Sequence, residues 1–196
     1  MGYDSIVLAS ASARRSLLLT QIGVRHRAFA ADVDETPRRG EAPDRYVGRL
    51  AADKARAIVH AGGAPDRPVL AADTTVVLDG HIYGKPADEA DCIAMLAALG
   101  GRRHAVLTAL ALWSDGQLRH ALSTSHVTFR EIGAEESRRY WTSGEPAGKA
   151  GAYAIQGLGA VFVERLEGSF SGVMGLPLYE TAALLDSVGV MRWIAP

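Results

Sequence analysis

Apolar and polar positions follow two different periods along the chain. Short apolar runs that end in small polar residues predict β-strands, and apolar positions three and four residues apart predict α-helices. Turn signals rich in glycine and proline, and the pair Asp79-Gly80, separate the runs. The pattern predicts strands at 5–10, 24–30, 69–78, 104–113 and 118–129, and helices at 13–21, 43–61, 87–99, 135–143 and 178–188.

The order of these elements predicts an α/β fold. Strands alternate with helices, but hairpin signals also join neighbouring strands, so we expect a mixed β-sheet with helices on its faces. The polar segment 31–42 is predicted as a loop, and 152–165 as strand and loop interrupted by glycines. Because 196 residues contain no repeat or long linker, we expect a single domain over 1–196.

Composition narrows the class of protein. Hydrophobic residues make up 48% and charged residues 22%, and the formal net charge of −1 predicts no general attraction to nucleic acid or membranes. The single cysteine, Cys92, excludes an internal disulfide and favours a reducing compartment. No apolar run is long enough to span a membrane, and the first residues do not resemble a secretory signal, so we expect a cytoplasmic protein.

Two arginines at the start of a predicted helix break the local pattern. Arg14 and Arg15 oppose the helix dipole, which favours anions at that end. Ser10 and Ser12 precede them, so a strand end, a turn of small residues and a helix N-terminus together form a candidate anion site. Two solvated arginines on the surface are an alternative that this motif, taken alone, supports about equally well.

Lys54 and Asp73 are charged residues inside apolar patterns. Lys54 lies midway along the apolar stripe of its predicted helix, and Asp73 interrupts an apolar strand. A buried charge requires an ionic partner, a phosphate or a metal ion. We therefore expect Lys54 to face a cleft, and Asp73 to pair with Lys54 or Lys85. Such a carboxylate can serve as a structural ion pair, a general base or a ligand of a hard cation.

A glycine-rich stretch at 151–159 carries the last candidate. Its glycines permit close approach of the backbone to a ligand. The amide of Gln156 offers one acceptor and two donors, and can therefore read the edge of a base. The alternative is an amide that braces the loop, which is the commoner role of an isolated glutamine.

These candidates and their neighbours lie in seven ordered stretches: LASASARRSLLLTQIG, ADVDETP, LAADKA, AADTTVVLDGHIYGKP, GRRHAVLTALAL, AGAYAIQGLGAVFVERLEG and VMGLPLYET. Together they resemble the Maf nucleotide pyrophosphatases over nearly the whole chain, which is more specific than any single motif. The resemblance implies an elongated α/β fold of the Maf and ITPase type, with a cleft between two lobes. It also implies dependence on a divalent metal and cleavage between the α- and β-phosphates of a nucleotide.

The resemblance assigns roles to the charged candidates. Asp73 matches the catalytic proton acceptor of the family's ADT motif, and Glu35, Lys54 and Lys85 match further charged positions of its cleft. Asp73 and Glu35 are then the expected ligands of the divalent cation, Mg²⁺ or Mn²⁺. The sequence leaves open whether Asp73 acts as base, as metal ligand or as both.

Substrate contacts are carried over in the same way. Arg14 matches the first arginine of the family's S-x-R-R phosphate motif, and Thr74 and Gln156 match positions linked to base choice. Lys149 receives no catalytic role, because the carboxylate that usually precedes it in the family is missing here. The expected substrate-binding residues are Ser10, Ser12, Arg14, Arg15, Thr74 and Gln156.

The expected function is hydrolysis of dTTP and UTP to the monophosphate and pyrophosphate, because the Ala-Tyr-Ala-Ile-Gln-Gly run is similar to that branch of the family. Two alternatives are the same chemistry on a modified nucleotide such as 7-methyl-GTP, and a nucleic-acid-binding regulator of cell division. The near-neutral charge argues against stable binding of nucleic acid. The expected partner is a nucleoside triphosphate, without a membrane, and the sequence is compatible with a homodimer.

Overall fold

The computed structural model describes residues 2–64 and 66–193 of the chain, and none of the helices in these ranges is long and apolar enough to cross a membrane. Strands and α-helices alternate along it, with short 3-10 helices in the last third. The strands are β1 (Ile6–Ala9), β2 (His26–Phe29), β3 (Val69–Leu78), β4 (His81–Tyr83), β5 (Arg103–Ser114), β6 (Gln117–Phe129) and β7 (Val163–Glu167). The α-helices are α1 (Ala13–Gln21), α2 (Pro43–His60), α3 (Glu89–Leu99), α4 (Ala134–Thr142), α5 (Phe170–Met174) and α6 (Leu178–Asp186), and the 3-10 helices are Ala150–Ala152 and Leu158–Phe162.

The seven strands form one mixed sheet, in the order β2-β1-β3-β5-β6-β7, with β4 paired to β3. β1 runs parallel to β2 and β3, and the other pairs are antiparallel. β1 pairs with β3 at Val69 and Leu70, whereas β4 pairs with it from Val76 onwards. Residues 71–75 therefore have β5 on one side, and no strand of the described ranges pairs with their other edge.

Three apolar cores support this sheet. Leu19 of α1 and Leu185 of α6 pack on one face of its first half, and Val47 of α2 packs on the opposite face. A third core, which contains Leu96 of α3 and Phe129 of β6, surrounds the far ends of β3, β5 and β6. The middle of β3 lies where these cores meet, so polar residues there face the space between them.

The fold class predicted from the sequence is confirmed, and most elements lie where the apolar periods place them. Both α1 and β3 have the predicted bounds. β7 and α5 were missed as separate elements. β7 has no fully buried side chain, and α5 is five residues long, too short to display a helical period.

Candidate functional site

The open edge of β3 lines a cleft with a volume of about 510 Å³. Asp73, Thr74 and Thr75, the polar residues in the middle of β3, lie along this cleft. The turn after β1 and the start of α1, which the sequence gives as a candidate anion site, form part of its wall. Further lining residues come from Glu35, α2, the segment after β4 and the segment 148–153.

A chain of alternating charges crosses the cleft. The Lys54 ammonium group donates to Asp73 Oδ1 at 2.6 Å and lies 2.7 Å from Glu35 Oε1. Lys85 donates to the other Glu35 oxygen, Oε2, at 2.8 Å. Lys54 and Asp73 are both buried. The sequence offered Lys54 and Lys85 as possible partners of Asp73. In the structure Lys54 pairs with Asp73, whereas Lys85 pairs with Glu35.

The two carboxyl groups have opposite pKa shifts. Burial raises the pKa of Asp73 above its ordinary value, although the charge and hydrogen bond of Lys54 act in the other direction. Burial also acts to raise the pKa of Glu35, but hydrogen bonds and charges from Lys54 and Lys85 outweigh it and lower the pKa to about 2. Asp73 is therefore the more basic of the two and the better proton acceptor.

One oxygen of Asp73 remains available. Lys54 occupies Oδ1, and Oδ2 has no hydrogen-bond partner among the described residues yet is not sealed inside the protein. Because Asp73 lines the cleft, Oδ2 can accept a hydrogen bond from a water or bind a cation there. The same carboxylate is thus anchored through one oxygen and reactive through the other.

Arg15 holds the wall of the cleft together. Its Nε donates to the Gly175 carbonyl at 2.7 Å, its Nη1 to Ser10 Oγ at 3.1 Å and its Nη2 to Thr74 Oγ1 at 3.2 Å. Burial lowers the pKa of Arg15, although the charge of Asp73 opposes that shift. Its guanidinium group is therefore a brace between three segments as well as a positive charge.

Arg14 and Lys149 supply positive charge that no direct ion pair of the described residues neutralises, although the Glu145 carboxylate acts on both from a greater distance. Arg14 Nε donates to the Met174 carbonyl at 3.3 Å, and Lys149 donates to the Ala147 carbonyl at 3.0 Å. Within residues 2–64 and 66–193, neither side chain forms an ion pair. Burial lowers the pKa of each, so an anion in the cleft would relieve a desolvated charge.

Ser10 and Ser12, which precede Arg14 and Arg15, leave hydrogen-bond donors available to an anion. Ser10 Oγ accepts hydrogen bonds from Arg15 and from the backbone N–H of Ser12, so its own hydrogen is free to donate. Ser12 is the N-cap of α1, but its side chain makes no capping hydrogen bond. The first backbone N–H groups of α1 therefore make no hydrogen bond to the Ser12 side chain. A helix N-terminus that binds a phosphate needs such N–H groups as donors.

This chain is similar to known proteins over nearly its whole length. The family described as Maf-like protein matches residues 5–188. The chain belongs to the Maf family.

Relatives within the Maf family carry a more specific name. The dTTP/UTP pyrophosphatase of Cupriavidus metallidurans is 54% identical over 194 residues, which cover 94% of this chain and 97% of the relative. Proteins with the same name from Bordetella parapertussis and Burkholderia pseudomallei are 53% and 54% identical, over 94% and 96% of this chain and 93% and 95% of their own lengths.

Of the residues that the sequence linked to base choice in this Maf chain, one lines the cleft and one does not. Thr74 lies in the cleft wall. Gln156 is exposed and is not among the residues that line the cleft. The structure therefore does not bring Gln156 together with the other site residues, and its role in base choice stays a prediction.

Two supporting residues of the Maf site were missed by the sequence. Tyr46 of α2 lines the cleft and donates from its hydroxyl to the Glu35 carbonyl at 2.9 Å, which holds the otherwise irregular segment that carries Glu35. Glu145 accepts hydrogen bonds from the Tyr140 hydroxyl and from the N–H groups of Leu158 and Gly159. The signal for Tyr46 was weak, because a tyrosine on a helix surface is common.

The carboxylate pair of the cleft fits a hard divalent cation that also takes oxygen ligands from elsewhere. Asp73 and Glu35 both present oxygen atoms to the cleft, and the described residues contain no cluster of three or more His, Cys, Asp or Glu side chains that could hold a metal ion. Mg²⁺ is commonly bound through one or two carboxylates together with phosphate oxygens. Two carboxylates beside unneutralised cations suit that mode better than an all-protein cage.

Proposed function

We propose that this Maf chain hydrolyses dTTP and UTP to the nucleoside monophosphate and pyrophosphate. The observation that carries the proposal is the pairing of an anchored, basic carboxylate with unneutralised cations in one cleft. Asp73 supplies the carboxylate, and Arg14 and Lys149 supply charge that forms no ion pair with any residue the structure describes. A triphosphate is the kind of ligand that needs both, since its phosphates carry negative charge and its cleavage by water requires a proton acceptor.

The phosphates are bound at the start of α1. Arg14, Ser10 and the first N–H groups of α1 converge there, and Lys149 lines the same cleft. Lys85 is more exposed and is tied to Glu35, so it lies ready to exchange that partner for a phosphate oxygen. These groups hold the triphosphate in line for attack at the α-phosphorus, and positioning of this kind supplies most of the rate in phosphoryl chemistry.

Asp73 accepts the proton of the attacking water through Oδ2. Burial keeps its pKa raised, which strengthens it as a base, while Lys54 keeps the ionised form present in the cleft. Glu35 stays ionised at neutral pH and holds Lys54 and Lys85 in place. Pyrophosphate then leaves with its charge stabilised by the cations.

Asp73 and Glu35 would hold the divalent cation, Mg²⁺ or Mn²⁺, together with oxygens of the triphosphate. When bound, such a cation supplies Lewis-acid stabilisation of charge on the phosphate oxygens. Lys54 lies between the two carboxylates and leaves Oδ2 of Asp73 available, whereas Oε2 of Glu35 becomes available when Lys85 exchanges it for a phosphate oxygen.

The choice of pyrimidine rests on the relatives named dTTP/UTP pyrophosphatase. The test is a screen of UTP, dTTP, CTP, GTP and 7-methyl-GTP with wild type and Asp73→Asn, scored by pyrophosphate release. We expect wild type to favour UTP and dTTP, and Asp73→Asn to be folded and inactive on all five, because an amide cannot accept the proton. Preference for 7-methyl-GTP would redirect the proposal to the modified nucleotide, and near-normal turnover by Asp73→Asn would refute the role of Asp73.

A further inference from the structure

A directed chain of hydrogen bonds runs behind the cleft wall. Arg15 Nη2 donates to Thr74 Oγ1 at 3.2 Å, and Thr74 Oγ1 lies 2.9 Å from Thr108 Oγ1. Thr108 Oγ1 in turn donates to the Gly172 carbonyl at 2.8 Å. Thr74 and Thr108 are directly opposite each other on the neighbouring strands β3 and β5.

The direction of this chain is fixed by counting hydrogens. A threonine hydroxyl has one hydrogen to donate and two lone pairs that accept. The hydrogen of Thr108 is used by the Gly172 carbonyl, so Thr108 must accept from Thr74. The guanidinium group of Arg15 has no lone pair to offer, so it must donate to Thr74.

Thr74 is therefore left with one free lone pair and no free hydrogen. Thr108 is 1% exposed, so water cannot readily replace it and release the hydrogen of Thr74. Thr74 itself is part of the cleft wall. Toward a ligand in the cleft, its hydroxyl can accept a hydrogen bond but cannot donate one.

We propose that Thr108 is a positioning residue for substrate selection, which makes Thr74 an obligate acceptor and so requires a donor on the nucleotide group that faces it. This inference rests on the proposed function and names that group as the N3–H of uracil or thymine, because the cleft wall beside Thr74 is apolar and suits a base. Val76 follows on the same face of β3, Val106 lies opposite Val76 on β5, and both line the cleft. Cytosine carries an unprotonated acceptor at the same position, so Thr74 would face it lone pair to lone pair.

Other parts of the nucleotide are poorer partners for a hydroxyl of fixed direction. Phosphate oxygens are acceptors and would repel the free lone pair of Thr74. A sugar hydroxyl rotates and can donate or accept, so a fixed direction would give it no selectivity. An imide N–H can only donate. A hydroxyl that can only accept therefore binds it and discriminates against a base that presents an acceptor at the same position.

The experiment compares kcat/KM for UTP and CTP in wild type, Thr108→Val and Thr108→Ser. Ser137→Ala is the matched control, because Ser137 is also buried and donates to a backbone carbonyl, that of Gly133, but lies outside the cleft. In Thr108→Val, the Thr74 hydroxyl regains a free hydrogen and can donate to cytosine. We expect the UTP preference to fall by about 10- to 100-fold, mainly through faster CTP turnover.

Thr108→Ser retains the hydroxyl and should keep the wild-type UTP preference, as should Ser137→Ala. An unchanged preference in folded Thr108→Val, or a loss in Thr108→Ser as large as in Thr108→Val, would overturn the role of Thr108. UTP carrying a methyl group on N3 tests wild type without any substitution. It should be a poor substrate, and turnover equal to that of UTP would overturn the proposal even if Thr108→Val fails to fold.

The outcomes separate this inference from the proposed function. A wild type that releases no pyrophosphate from UTP or dTTP would refute the proposed function and this inference with it. A wild type that prefers UTP to CTP, with the same preference in folded Thr108→Val, would refute the inference alone. A UTP preference that depends on the sugar hydroxyl, shown by equal discrimination against 3′-deoxy-UTP and CTP, would assign the donor to the sugar and overturn the assignment to N3–H.

Discussion

Lys54 reaches across from α2 to place its ammonium group 2.6 Å from Oδ1 of Asp73, in the middle of β3. Both side chains are about 10% exposed, so the pair is largely removed from water. In such a setting, removing one partner is far more costly than the net contribution of the intact pair, because the other charge remains buried. A substitution of Lys54 should therefore change both the free energy of unfolding and the proton affinity of the Asp73 carboxylate.

Lys54→Met should destabilise the protein at neutral pH by about 3 kcal/mol. The sequence alone favours the opposite result, since methionine suits the apolar stripe of α2, but the structure places Lys54 between two carboxylates. Removal of the ammonium group leaves Asp73 buried without its partner. Urea unfolding at pH 7.5 in the presence of a chelator measures the change.

This loss should depend on pH. Burial already raises the folded-state pKa of Asp73, and removal of Lys54 raises it further, so the folded state binds the proton more tightly than the unfolded state. The stabilisation by the protonated carboxyl is complete below about pH 4 and is lost as pH rises through the folded pKa. Lys54→Met should thus approach wild-type stability on acidification. The double variant with Asp73→Asn should show no such dependence, and equal pH profiles for the two would contradict this account.

Chelation of divalent cations should abolish turnover and leave the melting temperature nearly unchanged. Lys54 already neutralises the space between Asp73 and Glu35, so the folded state does not require a cation there. Pyrophosphate release and thermal unfolding should be followed together, before and after addition of EDTA and then of excess Mg²⁺ or Mn²⁺. A large drop in melting temperature on chelation would indicate a structural metal, contrary to this expectation.

The sequence predicted the charged centre of the site because its residues violate their local pattern. Asp73 interrupts an apolar strand and Lys54 interrupts an apolar helix stripe, so each is recognisable from its own neighbours along the chain. The same local periods gave the bounds of α1 and β3. Residues of this kind are visible without knowledge of the fold.

Thr108 and Glu145 could not be found in this way. The importance of Thr108 arises from Thr74, 34 residues earlier, and from a carbonyl of α5, a helix too short to predict. Glu145 acts on backbone groups 13 and 14 residues later. The opposite case is Gln156, whose motif is recognisable in the sequence but whose side chain is exposed and does not line the cleft, so its role in base choice stays a prediction.

Glu145→Gln should loosen the segment 154–159, which directly follows Tyr153 of the cleft wall. Glu145 Oε1 accepts from Tyr140 and Gly159, and Oε2 accepts from the N–H of Leu158. An amide replaces one acceptor oxygen by an NH₂ group, which would face a donor. We expect a loss of about 1 to 2 kcal/mol in stability and a higher KM for UTP with a smaller change in kcat, because the loosened wall outweighs the loss of the Glu145 charge that opposes Arg14 and Lys149.

Glu136→Gln is the control for this effect. Glu136 also accepts two hydrogen bonds, both from Arg130, but it lies outside the cleft. It should leave the KM for UTP unchanged. If both variants raise KM equally, the effect of Glu145 does not arise from the cleft wall.

Of the two arginines at the start of α1, Arg14 should mainly bind the substrate and Arg15 should mainly stabilise the protein. Arg15 uses all three of its guanidinium nitrogens within the protein, on Gly175, Ser10 and Thr74. Arg14 uses its Nε on Met174, and its two terminal nitrogens have no hydrogen-bond partner among the described residues.

Arg14→Ala should therefore raise the KM for UTP by about 10- to 100-fold while leaving stability nearly unchanged, because it removes a charge-assisted contact to phosphate but no internal hydrogen bond of its terminal nitrogens.

Arg15→Lys should lower stability, because one ammonium group cannot reproduce a three-way fork whose acceptors are then left unpaired. The hydrogen of Thr74 stays on Thr108 in both variants, so each should keep the wild-type preference for UTP over CTP, and Arg14→Ala should slow both substrates equally. Thermal unfolding and kcat/KM for the two nucleotides measure both effects. The reverse pattern, with Arg14 governing stability and Arg15 governing only KM, would contradict this assignment of roles.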